Sequence, residues 1–313
     1  MRFAVSGASG LIGTALVAHL VLEGHDVACL VRAGSPATDP GTGGHSTGGA
    51  KRVHWDPATG DLDVDALAGC TAFVNLSGAP IGDRRLSPSR KNEVLRSRVE
   101  ATKLLSQAAS TIAPHGGVLV NASAVGIYGD RGDEELTEDS EPGSGFLADL
   151  CRKWEAATET AQRAGVRVVH LRTGIVLAKH GGALRKQLPL FRLGLGGALG
   201  TGRQWMSWIS LKDEVGVIRH IVGNASLNGP VNAVGPEPAT NAAVTRAIAR
   251  AVHRPAVFRV PAPLLKAGFG ADFAEELLLA SQRVLPARLT SNGYKFADAD
   301  LTETLESILS GAR

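Results

Sequence analysis

Aromatic side chains make up only 4% of the 313 residues, and just two of them are tyrosines. So sparse a set offers no platform on which single-stranded bases could stack. An excess of one charge is missing too. The 33 basic and 30 acidic residues leave a formal net charge of +3, with the basic ones scattered along the chain. That removes the electrostatic footprint of a nucleic-acid binder. Three cysteines, Cys29, Cys70 and Cys151, are odd in number, far apart and without metal spacing. A disulfide framework and a metal site are therefore not expected, and the usage fits a reducing, cytoplasmic protein. No apolar run is long enough to span a bilayer, and glycines interrupt the amino-terminal apolar stretch where a secretory signal would continue.

What the chain does have stands at its start. Phe3 to Val5 reads as a buried strand, and Gly7, Gly10 and Gly13 follow at the spacing G-x-x-G-x-x-G before an apolar helical pattern begins. A strand turning through glycines into a helix N-terminus makes a phosphate site, because free N–H groups and the helix dipole face the anion. A second buried strand at 26–32 completes a βαβ unit of the length this fingerprint requires. That strand ends in Arg32, with no acidic residue before Asp39. An acid there would accept ribose hydroxyls, whereas a guanidinium suits a 2′-phosphate. The reading is NADP rather than NAD.

Further along, residues 33–50 are rich in Gly, Ser, Thr and Pro and read as a flexible insertion carrying a solvated His45. Strands are expected at 51–55, 71–76, 118–123, 166–171, 203–209 and 230–234. Helices are expected at 88–112, 146–163, 184–193, 213–222, 240–252, 264–269, 273–280 and 299–309. Glu93 and Arg98 read as part of a solvated helix face, and the acidic segment 130–140 as a solvated loop. His170, inside a strand, reads as a satisfied sheet histidine. The alternation predicts an α/β fold: a Rossmann-like doubly wound parallel sheet with a smaller helix-rich C-terminal lobe. We expect residues 1–180 in the dinucleotide-binding domain, with 211–235 returning to it, and 181–210 with 236–313 in the substrate-side lobe.

These segments resemble the extended short-chain dehydrogenase/reductases. The resemblance rests on the glycine turn, Asn75-Leu76-Ser77-Gly78, Ser123 to Gly129, Leu171-Arg172-Thr173-Gly174 and Trp208 to Asp213. Ser97-Arg98, Phe146-Leu147-Ala148, Cys151, Trp154-Glu155, Gly194 to Gly197 and Gln282 to Pro286 bring the chain nearer an atypical branch of epimerase-family proteins, sometimes labelled putative cell-division inhibitors. That resemblance implies an NADP(H) site formed by Gly7, Ser9, Gly10, Leu11, Ile12, Gly13, Arg32, Asn75, Leu76, Ser77, Glu93, Arg98, Ile175 and Val176. It turns Glu93 and Arg98 into the cleft.

The usual Tyr-x-x-x-Lys pair of that superfamily falls here at Leu147 and Cys151, its preceding Ser or Thr at Ala124, and a diphosphate-holding arginine at Met206. Leucine has no proton to give, and a neutral thiol supplies no positive charge. The substitutes are Tyr128 first, then Ser123, then Cys151. The expected activity is an NADP-dependent oxidoreductase on a small carbonyl or alcohol, against a non-catalytic NADP(H)-binding regulator and, third, a nucleotide-sugar epimerase or dehydratase. As partners, a small-molecule substrate and a homodimer are expected, with neither nucleic acid nor membrane.

Overall fold

Phe3 and Val5 point to one side of the first strand and Ala4 to the other, and all three are buried. A strand covered on both faces is the mark of a parallel sheet with helices above and below. A computed structural model describes residues 1–32 and 49–310 of the chain. The expected insertion at 33–50 falls almost wholly outside these residues.

Eight strands form the main sheet: β1 Arg2–Ser6, β2 Asp26–Val31, β3 Ala50–Asp56, β4 Asp61–Leu62, β5 Ala72–Asn75, β6 Val118–Ala124, β7 Arg167–Thr173 and β8 Gly229–Ala233. Their spatial order is β8-β7-β6-β5-β1-β2-β3-β4. All neighbours run parallel except the short hairpin partner β4. The order reverses at β1, between β2 and β5, and ligands of open α/β sheets bind in the crevice outside the carboxyl ends at such a switch.

One face is covered by α1 Leu11–Leu22, whose Leu16, Val17 and Leu20 share a core with Phe3, Val5 and Val74. The other is covered by α2 Pro88–Ile112, whose Ala101, Leu105 and Ala108 pack with Ala4, Leu30 and Phe73. Each fully buried leucine contributes roughly 1.5–3 kcal/mol. Ser87 caps α2 by accepting from the Arg90 N–H, and Pro88 occupies the first turn, where its missing donor costs nothing.

The helix expected at 146–163 is two: α3 Phe146–Ala156 and α4 Glu159–Arg163. Thr158 breaks it, buried, with its hydroxyl on the Glu155 carbonyl at 2.7 Å. Next come α5 Gly182–Arg192 and α6 Leu211–Gly223, the second packed with α1 on the first face. The strand expected at 203–209 is interrupted at Ser207, so that Trp205–Met206 pairs with Ala239–Thr240 and Trp208–Ser210 with Ile175–Leu177. A separate core gathers Leu184, Leu188 and Phe191 of α5 with Val244 and Ile248 of α7 Asn241–Ala251 and Leu305 near the chain's end. After α8 Ala262–Phe269, residues Ala274–Leu279 form a π-helical turn.

The acidic segment departs from the expected solvated loop at one residue, Glu138. Glu138 is 4% exposed and accepts from the Asn232 and Arg288 N–H groups, Asp133 accepts from the Trp205 indole at 2.8 Å, and Glu135 pairs with Arg283. Asp133, Glu134, Glu135 and Asp139 are exposed, as expected of a surface loop, and Glu138 alone of these acids is buried.

Candidate functional site

Gly7 sits at φ +71°, and a Cβ there would lie 2.6 Å from the Leu76 carbonyl oxygen. A Cβ on Gly13 would fall 2.2 Å from the Gly7 carbonyl. The turn thus works only with glycine. Gly10 begins α1 without any side-chain cap, and no acid lies in the first turn, so the leading N–H groups of Leu11, Ile12 and Gly13 are offered outward. Beneath the turn, Ser6 donates to Asn75 at 2.6 Å, and the Asn75 amide donates to Thr102 at 2.8 Å and Asn121 at 2.7 Å. All four are fully buried. This satisfied network pins three adjacent strand ends and fixes where the Leu76–Ser77 backbone emerges.

A cavity of about 830 Å³ opens above, bounded by the glycine turn, the end of β2, β3, the 76–80 turn and one face of α2. Of the expected cofactor residues, Gly7, Ser9, Gly10, Arg32, Leu76, Ser77 and Glu93 line it. Leu11, Ile12, Gly13 and Asn75 do not line it. Ile175 and Val176 lie on the separate strand pair with Trp208–Ser210, and Val176, Ile12 and Leu76 pack half-buried on one core. Arg52, which the sequence reading passed over, also lines the cavity. It stands in register with Cys29 on the strand next to β2.

Arg98, expected in the cleft, does not line the cavity. It is 9% exposed and lies under the cleft floor, its Nη1 donating to the Ala79 carbonyl at 2.9 Å and its guanidinium 4.9 Å from the Trp154 ring. Burial lowers its pKa to about 10, and among the described residues its Nε has no partner. It supports the 78–79 turn from below. Glu93 is half exposed and pairs with Arg90 at 2.7 Å.

None of the three expected catalytic groups reaches the cavity. Tyr128 ends a 3-10 turn that folds back behind β6. It is 0% exposed, its hydroxyl donates to Asn232 at 2.7 Å and accepts from Arg172 at 3.0 Å, and burial raises its pKa. Ser123 donates to Glu155 at 2.6 Å, and Glu155 also takes two hydrogen bonds from Arg172, at 3.0 and 3.1 Å. Cys151 is buried beside this carboxylate; desolvation, helped by the Glu155 charge, pushes its thiol up to about 11. It stays protonated and inert near neutrality. β6 ends against a buried ion pair that engages Ser123 and Tyr128, while burial keeps the Cys151 thiol protonated. His170 is satisfied by Thr158 at 3.1 Å, and burial holds its pKa down. At the position where a proton donor would stand, the Phe146 and Leu147 N–H groups donate to Glu276 at 2.8 and 2.6 Å.

Fold and cleft together define a Rossmann-type dinucleotide-binding protein. The sequence pattern of the NAD dependent epimerase/dehydratase family matches residues 3–235, and that of a domain of unknown function, DUF1731, matches residues 260–308. The chain belongs to this epimerase/dehydratase family. It is 44% identical over 302 residues to an epimerase family protein of Mycobacterium bovis, covering 96% of this chain and 95% of that one. A crystal structure of human epimerase family protein SDR39U1 with NADPH superposes with a TM-score of 0.85 at 34% identity, covering 99% of both chains. A nucleoside-diphosphate sugar epimerase from Corynebacterium glutamicum gives a TM-score of 0.77 at 35% identity over 99% of this chain and 58% of that one. Among the described residues, no helix is long and apolar enough to cross a membrane, and no group of three His, Cys, Asp or Glu is placed to hold a metal.

Proposed function

We propose that the chain binds NADP(H) in this cleft and does not run the acid/base chemistry typical of its family. The observation that carries the reading is the contrast between an intact cradle and a sealed set of acids and bases. The glycine turn has room for a diphosphate and none for a Cβ. Arg32 and Arg52 bring two guanidinium groups to the wall where a 2′-phosphate would sit. Asp56 lines the same cavity, but its carboxylate accepts from the Ala58 N–H at 2.9 Å and so closes its own turn. NADPH in the related human structure supports the choice of cofactor.

Reduced dinucleotide supplies a hydride when bound; turning a carbonyl into an alcohol also needs a proton from a positioned donor. Tyr128, Ser123 and Cys151 are all committed elsewhere. The geometry therefore favours a protein that reports on NADP(H), its affinity for a partner differing between the oxidised and reduced cofactor. The second reading, a reductase of small carbonyls, keeps one supporting observation: the half-buried apolar wall of Ile12, Leu76 and Val176 would exclude water from that end of the cleft.

Arg32→Asp tests the cofactor reading. It sets a carboxylate against the phosphate, and loss of a charge-assisted hydrogen bond weakens NADPH binding roughly tenfold to a hundredfold, while NADH affinity holds. Equal loss of both would make Arg32 structural. Cofactor consumption above background with a panel of small carbonyls would restore the reductase.

A further inference from the structure

Residues 160–212 and 238–271 contain no aspartate or glutamate. Two parts of these acid-free stretches meet on one face of the C-terminal region. The end of α5 and the loop after it lie against residues 254–258, where Arg254 Nε donates to the Arg192 carbonyl at 3.2 Å and Gly197 pairs with Phe258. In these two segments Leu190, Leu193, Leu195, Val257 and Phe258 are 54%, 72%, 54%, 80% and 52% exposed. Leu184, Leu188 and Phe191 already fill the inner side of α5, so the outward leucines are surplus to the core. A cluster of large exposed apolar side chains in neighbouring segments marks an interaction site.

Four exposed arginines, Arg185, Arg192, Arg254 and Arg259, accompany those side chains. Among the described residues, no carboxylate pairs with any of them. The nearby lysines differ, since Lys186 meets Asp83 and Lys266 meets Glu275. Exposed apolar side chains that need an apolar medium, in the same segments as arginines that need anions, match the boundary between acyl chains and anionic headgroups. Guanidinium groups hold phosphate oxygens bidentately. A second copy fits worse, because a two-fold contact would set arginine against arginine.

We propose that this face docks the protein onto an anionic phospholipid membrane surface. It departs from the expectation of no membrane partner, and it is independent of what the cofactor cleft does. The full chain should co-sediment with phosphatidylcholine vesicles containing phosphatidylglycerol and not with phosphatidylcholine alone. Arg192→Gln and Arg254→Gln should each weaken that binding roughly fivefold, about the contribution of one cation near such a surface. Phe258→Asp should abolish it with NADPH affinity and thermal unfolding unchanged, which separates docking from folding. Absence of vesicle binding, or equal binding to both vesicle types, would overturn the proposal. So would a dimer that Phe258→Asp dissociates without any lipid involved, which would give the face to a second copy.

Discussion

Two buried polar networks lie at the carboxyl ends of neighbouring strands, and they do opposite things. The first, Ser6–Asn75–Asn121–Thr102, is neutral and fully satisfied, and it leaves the backbone above it open to the cleft. The second, Ser123–Glu155–Arg172–Tyr128–Asn232, is built on a buried ion pair and takes up every hydroxyl that chemistry would need. A neutral network can position a surface at little cost; a charged pair taken out of water loses its hydration and persists only with its hydrogen bonds satisfied, so it engages the hydroxyls around it. The difference explains how one sheet edge carries an open cradle beside a closed catalytic corner.

That comparison breaks most severely at Glu155. Glu155→Ala strands the Arg172 charge in a side-chain environment only 7% exposed, and loss of one partner of a buried pair costs about 3–5 kcal/mol, measurable by urea unfolding. Asn75→Ala, in the neutral network, should cost about 1–3 kcal/mol and also weaken NADPH binding, because the 76–77 backbone is no longer pinned. A cost at Asn75 equal to that at Glu155 would erase the distinction between the networks.

Tyr128→Phe is smaller still. It removes one hydroxyl, should lower stability by about 1 kcal/mol, and should leave NADPH affinity untouched, as calorimetry would show. Glu214 is a fully buried carboxyl on α6 that, among the described residues, accepts only the Thr173 hydroxyl, at 2.9 Å. Desolvation raises its pKa from 4.5 to about 8. A raised folded-state value means its contribution is complete below about 4.5 and is lost as pH rises through about 8. Glu214→Gln should therefore gain on the wild type as pH rises across that window, read as a Tm difference that grows with pH. A difference in Tm that does not change with pH would contradict the assignment.

Local sequence carried the cradle almost completely. Gly7 to Gly13 after Phe3–Val5 announces strand, turn and helix within one short stretch, and Pro88 to Ile112 carries both its cap and its apolar face. Arg32 could be read from charge alone. The corner was unreadable for the same reason the cradle was readable: its partners are distant. Tyr128 is buried by Arg172, 44 residues on, and Asn232, 104 residues on, and no pattern near Tyr128 signals either. The burial of Glu138 depends on Asn232 and Arg288. Arg52 joins the cavity only because β3 pairs beside β2. Arg98 reads as an ordinary helical cation until the 78–79 turn is laid over it.

The central claim, a phosphate-selective dinucleotide cradle, is tested most directly by titrating NADPH and NADH into the full chain by calorimetry. Two arginines at the 2′-phosphate should make NADPH tighter by tenfold or more, roughly the worth of one charge-assisted hydrogen bond. Equal affinities, or no binding of either, would contradict it.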